Sequence, residues 1–141
     1  MSNKSINKLF IYWLTTGIVL IFSMIIVGGL TRLTNSGLSI TQWELLSGIL
    51  PPLNNADWNN YFDLYKEIPQ YKLLNSDMTL SEFKIIYYWE YAHRIFGRLI
   101  GLFFIIPLVY FHLVLKIEFR KVLPFYIISF LILIQGIVGW Y

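Results

Sequence analysis

Three apolar runs divide the chain: Leu9 to Leu30, Ile95 to Leu115, and Val122 to Tyr141. Each approaches or exceeds the ~20 residues that cross a hydrocarbon core as a helix. The first carries no charge, and the second is interrupted only by Arg98 and His112. The pattern predicts an all-α integral membrane protein with three transmembrane helices, over residues 9–30, 95–115 and 122–141. The first run is longer than a signal-peptide apolar region and lacks a small-x-small cleavage site, so it is expected to remain as a membrane span.

Residues 31–78 form the longest polar stretch and predict an outer loop. Thr34-Asn35-Ser36-Gly37 is a turn cluster, and Pro51-Pro52 breaks any helix. Leu38 to Ser47 fits a short interfacial helix. Asp57 to Glu67 fits another, with Trp58, Tyr61, Phe62 and Tyr65 at i, i+3, i+4 and i+7. A polar connection this long is either packed on the helices or a lid over a ligand. Thr79-Leu80-Ser81-Glu82 matches a capping box, so a helix is predicted from 79 to 115. Its first part, Phe83 to Tyr91, is amphipathic and would project beyond the bilayer. Gly97 and Gly101 make a Gly-x-x-x-Gly face, and Pro107 predicts a kink. Residues 116–121 form a short loop before the last span. All of this fits one membrane domain, residues 1–141.

Composition narrows the class. Of 141 residues, 57% are hydrophobic and 13% charged, well below the ~25% charged residues of soluble domains. Five Trp, ten Tyr and eleven Phe suit membrane interfaces and flat ligands. A net charge of +3 with scattered basic residues excludes nucleic acid as an expected partner. With no cysteine there is no disulfide, thiolate metal site or nucleophilic thiol. Lys4, Lys8, Lys116, Arg120 and Lys121 flank the spans on one side. Residues 31–89 carry Arg32, Lys66, Lys72 and Lys84 against Glu44, Asp57, Asp63, Glu67, Asp77 and Glu82. The positive-inside rule places the N-terminus and loop 116–121 in the cytoplasm and the long loop outside.

One stretch carries candidate chemistry: Glu90-Tyr91-Ala92-His93-Arg94-Ile95-Phe96-Gly97-Arg98. On a helix Glu90, Arg94 and Arg98 share a face, and His93 lies about 60° from Glu90. Ionisable groups at the mouth of a membrane span are costly, which points to a site. His93 is a candidate axial ligand to haem iron. Arg94 and Arg98, like charges one turn apart, suit an anion between them such as a haem propionate. Glu90 is placed to orient His93 or act as acid or base. The plain alternative is arginines snorkelling at a helix end, Glu90 paired with Arg94, and His93 in a polar interface. The other histidine, His112, is 19 positions further along the predicted helix, roughly 28 Å at the helical rise, so both cannot ligate one iron.

Longer motifs carry a family resemblance. Ile26-Val27-Gly28-Gly29-Leu30-Thr31-Arg32-Leu33-Thr34, Ser36-Gly37-Leu38-Ser39-Ile40 with Trp43, and Gly48-Ile49-Leu50-Pro51-Pro52 resemble the first helix and following loop of haem A synthase. Glu82-Phe83-Lys84-Ile85-Ile86, Trp89-Glu90-Tyr91-Ala92-His93-Arg94 and Gly97-Arg98 resemble its second-helix motif. Gln135-Gly136 with Gly139-Trp140 resembles its next span. The absence of cysteine resembles the mitochondrial and proteobacterial branch. The resemblance implies oxidation of the C8 methyl of haem O to the formyl of haem A. It also implies two four-helix halves: the first holds the substrate haem, and the second holds a haem b. Glu90 and His93 match the family's Glu and His of the first half. Its later histidines have no match here, and His112 corresponds to none of them. The chain is therefore expected to be the N-terminal, substrate-haem part, an incomplete four-helix half from a split, truncated or incomplete chain. Its partners are expected to be the bilayer, haem O, and the missing C-terminal half or further copies of itself. Two other classes stay open: a haem-carrying electron-transfer subunit, and a cofactor-free membrane assembly subunit.

Overall fold

The computed structural model describes residues 3–42 and 50–140. The elements are α1 (Asn3–Leu33), α2 (Asn55–Glu67), α3 (Pro69–Leu74), α4 (Leu80–Val109), a π-helical turn (Tyr110–Val114) and α5 (Phe119–Trp140). No strand occurs among the described residues. Helical segments over residues 4–33, 80–114 and 119–139 are long and apolar enough to cross a membrane. They present large apolar side chains outward, among them Ile18, Phe22, Ile106, Phe130 and Leu131. Such surface suits lipid and not water.

Two compact units are distinguishable, one of residues 1–24 and 96–141 and the other of residues 25–95. In the first, Trp13, Phe104, Leu108, Phe111 and Val122 form a buried core, with Phe10 set edge-on to both Trp13 and Phe125. Pro107 lies inside α4. Its ring nitrogen carries no proton, so the carbonyl four residues back, that of Phe103, loses its helical donor. The indole N–H of Trp13 fills that vacancy, donating to Phe103 C=O at 3.1 Å. The helix thus continues past the expected kink position and widens into the π turn. Lys116, at φ 51, ends it, with Ile117 N–H returning to Phe111 C=O.

In the second unit the predicted aromatic stripe of α2 is observed. Asn54 caps the helix through Asp57 N–H, and Trp58, Phe62 and Tyr65 are buried against Phe83 and Tyr87 of α4. The reciprocal capping box of α4 is also present: Thr79 N–H donates to Glu82 Oε2 at 2.8 Å and Glu82 N–H to Thr79 Oγ1 at 3.4 Å. The short helix α3 was not anticipated from periodicity. It starts on Pro69, whose fixed φ suits a first turn. Residues 43–47 of the interfacial helix expected over Leu38 to Ser47 lie outside the described residues, as do Gly48 and Ile49. Its described part, residues 38–42, is turn and irregular backbone.

Candidate functional site

The site is built where the chain leaves α1 and meets α4. α1 ends in a Schellman motif: Ser36 N–H returns to Thr31 C=O and Asn35 N–H to Arg32 C=O. Asn35 takes the left-handed position at φ 51, a conformation Asn tolerates better than most residues. A turn follows, closed by Ser39 N–H to Ser36 C=O at 3.1 Å. This reversal carries Ser39 and Ile40 onto α4 beside Glu90.

Glu90 is 4% exposed. Its Oε2 accepts from Ser39 Oγ at 2.8 Å and from Ile40 N–H at 2.9 Å, and Arg94 Nη1 lies 3.4 Å from Oε1. Burying a carboxylate is costly unless donors replace its water, and these do so. One turn of helix brings Glu90 and Arg94 together, as expected. Ser39 and Ile40 come from a separate stretch, and sequence reasoning missed them. The available signal was a serine beyond a turn cluster, together with an apolar helix holding a carboxylate that needs donors.

His93 is half-buried, and its ring rests on Gly28 of α1. A Cβ at Gly28 would stand 3.3 Å from His93 Nε2 and 3.6 Å from Cδ2. Gly28 therefore leaves room for the Nε2–Cδ2 edge of the ring, which a side chain at that position would crowd. Arg98 belongs to the other unit, and its Nη1 is buried without a hydrogen-bond partner among the described residues. A donor in that condition is suited to an anion. No cluster of three or more His, Asp or Glu side chains that would hold a bare metal ion occurs among the described residues. Haem needs less from the protein: one imidazole, and cationic donors for its carboxylates. His93, Arg94 and Arg98 are residues of those types.

His112 is placed elsewhere. Its Nδ1 is 2.9 Å from Tyr126 Oη, and its ring lies 5.7 Å from that of Phe119. It joins none of the groups around Glu90.

Helices of this length and polarity, with a carboxylate, an imidazole and arginines on α4, define an all-α integral membrane protein. The chain belongs to the COX15-CtaA family of cytochrome oxidase assembly proteins, whose family model matches residues 11–141. It is 55% identical over 129 residues to a protein of Pelagibacter ubique, and the match covers 92% of this chain and 38% of that protein. It is 50% identical over 131 residues to one of Parvibaculum lavamentivorans, with 92% and 38% covered. A third match, from Flavobacterium johnsoniae, is 45% identical over 140 residues, covering 98% of this chain and 41% of the relative. All three relatives are named Heme A synthase. The chain thus spans well under half the length of these curated relatives and corresponds to their N-terminal portion. No solved structure matches it. The family resemblance read from the sequence motifs is borne out.

Proposed function

We propose that this chain supplies the N-terminal, substrate-haem part of a haem A synthase, which oxidises the C8 methyl of haem O to a formyl group. Its relatives' names support the activity. The observation that carries the site is a buried carboxylate, Glu90, held by three donors and one turn from His93 on α4. In this reading His93 ligates the haem iron. Arg94 and Arg98, one turn apart, pair with the propionates. Bound haem would supply the redox chemistry at its iron. Turning a methyl into a formyl group with water as the oxygen source releases protons, and electrons that must pass to an acceptor outside this chain; Glu90 is the group that takes up protons or orients His93. In the same reading a haem b belongs to the C-terminal half and not to this part of the enzyme.

Topology belongs to the same proposal. Residues 9–30, 95–115 and 122–141 span the membrane, loop 116–121 and the N-terminus are cytoplasmic, and residues 31–78 lie outside with Glu90 and His93. A single cysteine placed at Asn55 should label from outside intact cells, and one at Glu118 should not. The reverse pattern would put the site on the wrong side.

Glu90→Gln tests the chemistry. It keeps size and one acceptor, so the fold is expected to persist while conversion of haem O to haem A stops. Unchanged conversion would leave Glu90 as an anchor for the loop alone. That second reading is favoured by the complete engagement of its Oε2.

A further inference from the structure

A glutamate on a helix has several rotatable bonds, so its carboxyl group is placed only if something outside the helix holds it. Here the hold comes from the loop after α1. Ser39 is fully buried, and its Oγ lies 2.8 Å from Glu90 Oε2 and 3.3 Å from Ile86 C=O. A hydroxyl has one hydrogen to give. The shorter distance assigns that hydrogen to Glu90. Ile40 N–H, outside any helix, donates to the same oxygen at 2.9 Å. Both donors thus lock Oε2, and Oε1 is left toward Arg94 at 3.4 Å. The lock depends on the Schellman end at Asn35 and the Ser36–Ser39 turn, which together fix where Ser39 arrives.

Resting on the role proposed for Glu90, we propose that Ser39 is a positioning residue for that carboxylate. With the Ile40 amide it pins Oε2 and so presents Oε1 as the working oxygen. Ser39 itself touches neither haem nor iron in this scheme. Its contribution is to the orientation of Glu90.

The test uses the infrared carboxylate band of ¹³C-glutamate-labelled protein in lipid nanodiscs. The wild-type spectrum minus that of Glu90→Gln isolates the Glu90 band from the other glutamates. Ser39→Ala should displace this band and Ser39→Thr should return it, because only the hydroxyl is at stake. If Ser39→Ala does not accumulate, Ser39→Cys keeps the size with a weaker donor, and the same displacement is required of it. In the full-length enzyme, Ser39→Ala should lower kcat about tenfold with little change in KM, the scale of one lost hydrogen bond to a charged group. Ser39→Thr should restore it. A Glu90 band unmoved in Ser39→Ala, or a kcat that Ser39→Thr fails to restore, would overturn the proposal. Full turnover in Glu90→Gln would instead sink the role of Glu90, while the band still decides whether Ser39 holds it.

Discussion

Residues 1–24 with 96–141 and residues 25–95 bury different things. In the first unit the buried side chains are Trp13, Ile100, Phe104, Leu108, Phe111 and Val122, all apolar or aromatic. In the second, Thr31, Ser36, Ser39 and Glu90 are buried alongside Trp58, Phe62, Tyr65, Phe83 and Tyr87. Helix interiors use their own amides, so a helix has little to offer a buried carboxylate from a neighbouring element. A loop does have free amides and hydroxyls, and the polar burial gathers where residues 36–40 leave the helix. The first unit obeys the same rule in reverse. Its cross-element polar contact at Trp13 answers a helix defect, the carbonyl freed by Pro107.

The sharpest way to break this contrast is Glu90→Ala. It removes the shared acceptor of Ser39 Oγ and Ile40 N–H and the carboxylate facing Arg94, and removing one partner of a buried ion pair typically costs about 3–5 kcal/mol. Chemical unfolding in mild detergent should show a loss of that order. An unaltered midpoint would mean that the carboxylate is dispensable to the second unit. The matching experiment in the first unit is Trp13→Phe, which keeps most of the ring and removes the indole N–H. Leaving Phe103 C=O unpaired should cost about 1–3 kcal/mol. Pro107→Ala in that background supplies the missing amide, and recovery of part of the loss would confirm why Trp13 is there.

A smaller effect is expected from Gly28→Ala. The new methyl would meet His93 Nε2 at 3.3 Å, so the ring has to shift by a few tenths of an ångström. The helix gains about 1 kcal/mol from replacing glycine with alanine, which offsets the crowding. Stability should stay nearly constant while the His93 ring resonances move in the NMR spectrum of imidazole-labelled protein. Unmoved resonances would show that the ring does not rest on Gly28.

The smallest effect concerns Tyr65, which is fully buried in α2 and accepts a hydrogen bond from Asn75 Nδ2 at 2.7 Å. Burial raises its phenol pKa above the ordinary 10.0, although the Asn75 contact opposes the shift. A raised folded-state pKa gives stability that is complete below the unfolded value and is lost as pH climbs through the folded one. The second unit should therefore weaken above about pH 10, the ordinary tyrosine value. Tyr65→Phe should flatten that alkaline limb. A limb that persists in the variant would assign it to another group.

The sequence by itself determined the long helices and α2, though not α3. Three apolar runs, the Thr79–Glu82 capping box and the α2 aromatic stripe are local patterns, and local hydrogen bonding and side-chain period are enough to produce them. Glu90 with Arg94 was legible for the same reason, being one turn apart on one helix. The family was legible because several motifs recur in order. Only the tertiary structure decided what completes the Glu90 environment. Ser39 is 51 positions away in sequence, and the direction in which an Asn35 Schellman end aims the following turn is not a periodic property. The pairing of Trp13 with the Phe103 carbonyl, 90 positions apart, was hidden likewise. Pro107 announces a freed acceptor, but which donor reaches it depends on how distant segments pack. Gly28 is the same kind of case: only the fold shows that His93 is what meets it.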